Sequence, residues 1–498
     1  MIPLNLIPHA PARRRPLLLI AGLCAGLLAA CSPAPEVQQP QCQAGTNVVI
    51  FLIDTLRADR LGAYGYARDT SPNLDALAKE SVLFERAHSP ASWTLPSVAS
   101  LMLGSFLPEH GVVKDGDRIP AADTTLAEHL RGLGYSTGSF IHNPYAGSMT
   151  GLERGFDVCE QADRVVGSEQ LRRWLDAEPK HPFLLYLHNT IPHDPYRPEK
   201  RYLEHFGEVP SRAIDEIEEL QADYRQLTRE NFAPWKEAQG IDNSEEQRAL
   251  IERLAEHQQA IDDLYDGEVR KVDQVLGEVI ELLKLRGEWE NTIFVVLADH
   301  GEELGDHGGW EHDHSLYEEL IHVPLMIRLP AAQEAGRRIA GSVSLVDVLP
   351  TLMQLLGAPL ASTETDGRSL EPAMRGAPLD SGPRVTSYRL NQKKRYTPYR
   401  NARGEENMVI CEGSWKAIWN LQLDRVELYD LQEDPDETRD LSEQEPEIAA
   451  RLMRHGIERR AAMRAAFEAK GGGEQSALPL SEEQRERLRA LGYMGDED

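Results

Sequence analysis

Val48-Val49-Ile50-Phe51-Leu52-Ile53-Asp54 is an unbroken apolar run that stops at a carboxylate. Alternating residues would mark a strand with one wet face. A continuous run marks a strand covered on both faces, as in parallel sheets. Two more runs behave alike: Phe183 to Leu187 stops at His188, and Ile293 to Leu297 leads into Asp299-His300-Gly301. Helical stretches alternate with them, over Pro72 to Glu80, Thr125 to Leu133, Gln170 to Ala177 and Asp273 to Leu285. This alternation predicts an α/β fold, a mainly parallel sheet flanked by helices. Chemistry in such folds gathers at the C-terminal strand ends, where Asp54, His188 and Asp299 all lie.

Residues 46–380 form the expected main domain. Within it, 208–259 reads as a charged helical insertion, most simply a solvated surface. Composition changes over 381–470, where Trp415 to Trp419 and Glu427 to Leu431 read as short strands of a small C-terminal α+β domain. Residues 471–498 form a tail with one short amphipathic helix, Glu482 to Leu491. At the other end, 1–30 has the basic and apolar regions of a targeting segment, too short for a membrane span. Leu28-Ala29-Ala30-Cys31 resembles a bacterial lipobox. The resemblance implies a signal peptide cleaved before Cys31, lipid on that cysteine, and 31–45 as a flexible tether. Ser32 after the cysteine favours the periplasmic face of the outer membrane, with membrane contact through the lipid anchor alone. The formal net charge of −28 repels polynucleotides, so no nucleic-acid partner is expected. Loss of Cys24 with the signal and lipidation of Cys31 leave Cys42, Cys159 and Cys411, enough for at most one internal disulfide.

The stretch Trp93-Thr94-Leu95-Pro96-Ser97-Val98-Ala99-Ser100-Leu101-Met102-Leu103-Gly104 resembles the sulfatase active-site signature, Cys or Ser-x-Pro-Ser-Arg-x-x-x-Leu-x-Gly. Thr94 stands where the residue converted to formylglycine belongs, and Val98 stands for the arginine. Threonine cannot be converted that way. Asn47 to Gly65 resembles the family's N-terminal motif, which makes Asp54 a metal ligand, although Thr55 replaces a second acid. Asp299-His300 resembles the second ligand cluster, with His300 where calcium sulfatases often carry asparagine. The expected site is therefore Asp54, Thr94, Asp299 and His300 around a divalent metal. Imidazole favours Zn²⁺ or Mn²⁺ over Ca²⁺.

Pro192-His193-Asp194-Pro195-Tyr196 resembles the segment that serves the leaving-group side, and the block around His314 a later motif. The resemblance gives His193 and His314 proton transfer. The lysine that precedes the later block in sulfatases is absent, and His312 stands in that space. His312 with Asp194 forms a candidate second metal or substrate-binding set, against the plainer reading of a polar pocket wall. Asn143 lies where another lysine segment would run; it serves a phosphate oxygen or simply a turn. Pro108-Glu109-His110-Gly111 matches a further family motif, with His110 structural.

Thr94 precedes Pro96 and an apolar run, so it belongs at a helix N-terminus, where N–H groups favour an oxyanion. Metal coordination would favour its alkoxide. The expected activity is metal-dependent hydrolysis or transfer of phosphate esters, diesters favoured, through a threonine nucleophile. Sulfate-ester hydrolysis without formylglycine is the second reading. A degenerate anion- or glycan-binding lipoprotein is the third.

Overall fold

The computed structural model describes residues 45–471 and a few positions between 482 and 489, except 115, 163–168, 178, 180–181, 232–244, 362–363, 391–405 and 422. Cys31, Cys42, the signal and tether, and most of the expected tail helix lie outside the described residues. Residues 41–498 make one compact unit.

Its central sheet uses β1 (Asn47–Ile53), β2 (Val82–His88), β3 (Ser136–Ile141), β4 (Val158–Gln161), β5 (Phe183–Asn189) and β6 (Thr292–Ala298). The short hairpin β7 (Glu303–Leu304) and β8 (Trp310–Glu311) stands apart. Then β9 (His322–Val323), β10 (Leu325–Arg328) and β11 (Arg338–Ser344) complete the sheet. The order is β11-β2-β10-β6-β1-β5-β3-β4, with β9 beside β2. Along this path β10 alone runs against its neighbours, so the sheet is mainly parallel, as expected. All seven residues of β1, β5 and β6 are buried, which explains their unbroken apolar runs. Register then builds the site. Leu52 lies opposite His188, and Ile53 opposite Ala298. Asp54, His188 and Asp299 therefore meet at one sheet edge.

The flanking helices are α1 (Pro72–Lys79), α2 (Thr94–Leu103), α3 (Leu126–Gly132), α4 (Glu169–Asp176), α5 (Ser211–Asn231), α6 (Glu245–Glu256) and α7 (Gln258–Leu285). Their starts follow local chemistry. Thr125 and Glu128 form a reciprocal capping box at α3. The long helix α7 begins well before the expected Asp273. Asp263 and Asp266 turn inward against Arg68 and Arg60, and Asp273 accepts the N–H groups of Asn73 and Leu74. Those buried acids erase the apolar stripe that would have announced the helix. Among the described residues no helix is long and apolar enough to cross a membrane.

The C-terminal region is an antiparallel sheet of β12 (Arg384–Leu390), β13 (Glu406–Glu412), β14 (Trp415–Asn420) and β15 (Arg425–Asp430), followed by α8 (Pro446–Ala469). It is bonded to the loops that lead into the site. Tyr388 N donates to Pro90 O at 2.8 Å, Ser387 Oγ to Ser89 O at 2.6 Å, and Arg389 Nε to Asp313 O at 2.8 Å. Beneath it, the fully buried Lys416 bridges Glu318 at 2.7 Å and Glu437 at 2.8 Å. Cys159 and Cys411 are free thiols.

Candidate active site

Helix α2 starts with Trp93 in the N-cap position, and no side chain caps it. Thr94 is its first residue and is fully buried. Thr94 Oγ1 lies 3.5 Å from Asp54 Oδ1 and 3.3 Å from His300 Nε2, and accepts from Asn143 Nδ2 at 3.2 Å. Asn143 also donates to Asp54 Oδ2 at 3.1 Å, while its Oδ1 accepts from Tyr145 N at 3.0 Å. The turn role and the site role thus coexist in one side chain. Val98 is fully buried in the core, so no group projects from the arginine position.

Asp54, Asp299 and His300 are fully buried. His300 Nδ1 lies 2.8 Å from Gly301 O, which assigns the proton there and turns Nε2 inward. That nitrogen stands 3.3 Å from Asp54 Oδ1 and 3.7 Å from Asp299 Oδ2. Ligands 2.0–2.1 Å from a tetrahedral zinc stand about 3.3–3.4 Å from one another. The spacing of Asp54, Thr94 and His300 is close to this. Asp299 Oδ2 has no hydrogen-bond partner, and neither nitrogen of His188 has one. His188 Nε2 lies 3.7 Å from Asp54 Oδ2, and ligand atoms of Asp54, His188 and Asp299 fall within 4.8 Å of one another. Orphaned, fully buried oxygen and nitrogen donors around one point suit a divalent cation.

The electrostatics agree. Burial and the neighbouring Asp54 charge push Asp299 up to about 7. Burial opposes ionisation of Asp54 as well, but His300 and the other histidines hold it well below the usual range. Burial also disfavours charge on His300, yet Asp299 and Asp54 outweigh it and lift the ring to about 9. Burial depresses His188 to about 4, leaving a neutral imidazole of the kind that binds metals. The α2 residue Ser97 donates to Asp299 O at 2.6 Å and so ties the Thr94 helix to this loop.

A second group adjoins the first. The His312 ring lies 4.6 Å from that of His300 and 5.1 Å from that of His193. His193 Nδ1 meets Asp194 O at 2.8 Å and Asp194 Oδ1 at 3.1 Å. Burial opposes a charge on His193, but Asp194 raises it to about 10. His312 Nδ1 lies 2.9 Å from Glu302 Oε1, and burial with the nearby His300 and His193 keeps this ring low. Burial pushes Glu302 up to about 8, and its Oε2 has no partner.

His314 does not join this group. Its Nε2 is held by the Glu303 carboxylate and its Nδ1 lies 3.2 Å from His312 O. Two residues apart in a strand, His312 and His314 would share a face. Glu311 and Asp313 both take φ of 70°, which breaks that alternation and turns His314 away. Of the two candidates for proton transfer, His193 lies against His312, whereas His314 pairs with Glu303.

Three contributors escaped the sequence reading. His188 was legible as a strand-end residue, but not as a donor. Glu302 sits two residues after His300, where only the fold aims it inward. Arg225, on α5, reaches Asp194 and Glu311 from a stretch with no sequence signal.

Comparison with known proteins shows what the chain is similar to. The N-acetylglucosamine-6-O-sulfatase of Bacteroides thetaiotaomicron is 23% identical, over 86% of this chain and 88% of that protein. The choline-sulfatase of Rhizobium meliloti is 26% identical, over 80% and 82%. The crystal structure of phosphonate monoester hydrolase from Agrobacterium radiobacter superposes with a TM-score of 0.64 at 22% identity, over 84% of this chain and 95% of that one. The C-terminal region described for N-sulphoglucosamine sulphohydrolase matches residues 305–461. The sulfatase profile itself matches residues 46–358, well over half the sequence, and the chain belongs to the sulfatase family of the alkaline phosphatase superfamily.

Proposed function

We propose that this family member hydrolyses or transfers phosphate esters, diesters favoured, with Thr94 as nucleophile. The observation that carries the reading is the setting of Thr94 Oγ1, buried among Asp54, His300 and Asn143. Asp54, Asp299 and His300 would hold a divalent cation, Zn²⁺ or Mn²⁺ over Ca²⁺, with Thr94 as the fourth donor and His188 beside them. The cation supplies charge that favours the Thr94 alkoxide and the developing oxyanion.

Thr94 Oγ attacks phosphorus, the bond from phosphorus to the leaving oxygen breaks, and His193 gives that oxygen its proton. Asp194 keeps His193 protonated and oriented for this step. Water or a second alcohol then attacks the phospho-threonine, its proton passes to His193, and Thr94 is released. Asn143 donates to Thr94 Oγ and stays beside the reacting oxygens throughout. With no arginine at Val98 and no lysine before His314, the site carries few fixed cations, which suits a diester better than a monoester dianion.

The test is turnover of an aryl phosphate diester, the monoester and the aryl sulfate by Zn²⁺- or Mn²⁺-loaded protein, with Thr94→Ala alongside. Phosphate-ester turnover that disappears in the variant is expected. Sulfate turnover alone would instead establish the second reading, which the names of the sulfatase relatives favour. We further place the enzyme in the cell envelope through a lipid on Cys31, on the strength of Leu28-Ala29-Ala30-Cys31. Processing that is indifferent to globomycin would rule this out.

A further inference from the structure

The charged insertion contributes more than a solvated face. Helix α5 points Arg225 at two loops that are remote in sequence. Arg225 Nη1 engages the Asp194 carboxylate through Oδ2 and lies 2.9 Å from Glu311 Oε1. Asp194 uses its other oxygen for His193 Nδ1. Glu311 directly precedes His312 on the β7–β8 hairpin. One guanidinium therefore links the loop after β5, which carries His193, to the hairpin that leads into His312. The preceding residue makes a second tie: Trp310 N donates to Tyr224 Oη at 3.2 Å.

We propose that Arg225 is a positioning residue that fixes the His193–His312 pair; this rests on the phosphoester reading above. Its pairs are not solvent-screened surface bridges, since Asp194 is 4% exposed, Glu311 14% and Arg225 20%. Charge-assisted bonds of this kind set geometry as well as attraction. Without the guanidinium, Asp194 and Glu311 become two buried carboxylates with no cation between them. They relieve that by moving apart or by taking a proton. Either response releases a loop and shifts the ring it holds.

The experiment compares wild type, Arg225→Gln and Arg225→Lys on the aryl ester, with amide hydrogen exchange of segments 190–196 and 309–314 followed by mass spectrometry. A small displacement of reacting groups costs roughly 10²-fold in rate. A fall of that order in kcat with KM little changed is expected for Arg225→Gln, with partial recovery in Arg225→Lys. Exchange is expected to quicken in those two segments, while β1 and β6 stay protected. Unchanged exchange in both segments overturns the proposal whatever the activity. So does faster exchange with a wild-type kcat, or exchange raised across the whole protein. Thr94→Ala, run in parallel, keeps the two readings separate. Turnover that ignores Thr94 refutes the nucleophile and leaves the exchange result to judge Arg225.

Discussion

His110 should make this protein acid-sensitive by a predictable amount. It is 1% exposed, beneath the helix that carries Thr94. Its Nδ1 accepts the N–H of Val112 at 3.0 Å, so the ring proton sits on Nε2 and is donated to Ser100 Oγ at 2.9 Å. Only the neutral ring satisfies both bonds. A second proton would set Nδ1–H against the Val112 N–H and bury a charge facing Lys470. Burial, with Lys470, accordingly depresses the group to about 3 from 6.5. The folded pKa lies below the unfolded one, so the unfolded chain binds the extra proton first. This part of the stability is intact above about pH 6.5 and drains away as pH falls toward about 3. Each pH unit in that window costs about 1.4 kcal/mol, or roughly 2.7 kcal/mol between pH 6.5 and 4.5. The assay is urea unfolding of wild type and His110→Gln at pH 7 and pH 4.5. The variant loses stability at pH 7, but its drop between the two pH values is expected to be smaller than the wild-type drop by about 2.7 kcal/mol. Equal drops in the two proteins would refute the reasoning, since every other titrating group is common to both.

Lys416→Met strands Glu318 and Glu437 as buried carboxylates and should cost about 3–5 kcal/mol in urea unfolding. Adding Glu437→Gln should recover part of that loss, and failure to do so would show that Lys416 acts by packing alone. Asn143→Ala removes the donor shared by Thr94 and Asp54 and should lower kcat/KM of the phosphate ester roughly 10–100-fold, the worth of a hydrogen bond to a charged group. Bound metal measured by mass spectrometry should stay at the wild-type level, and a wild-type rate would remove Asn143 from the machinery.

The fold was legible where side-chain patterns are governed by burial alone. The runs ending at Asp54, His188 and Asp299 announced three buried strands, because a strand covered on both faces admits no polar interruption. The ligand edge followed from their register. Legibility failed where buried charges replace apolar residues. The first half of α7 hides behind Asp263 and Asp266, which read as surface acids until Arg60 and Arg68 are seen opposite them. α8 was missed for another reason: its inward face is built from Ala449, Leu452, Gly456 and Met463, so few over its 24 residues that they leave a faint stripe. His312 and His314 illustrate a third limit. They stand two apart, yet beside the left-handed Glu311 and Asp313 their rings take different partners, Glu302 and Glu303. Arg225 shows a fourth, since nothing local ties an exposed-looking helix to Glu311, 86 residues away.

The bonds from β12 to Pro90, Ser89 and Asp313 have a consequence for how the enzyme comes into being. The loop that delivers Thr94 is braced by β12, a strand that lies nearly three hundred residues further along the sequence. A nascent chain stopped near residue 380 would carry every acid and imidazole of the site, yet would lack the brace. The Thr94 loop therefore depends for its anchorage on a strand that follows every donor of the site in sequence. In a chain cut at residue 380 the donors would still stand on their strand ends, but the loop before α2 would go unanchored.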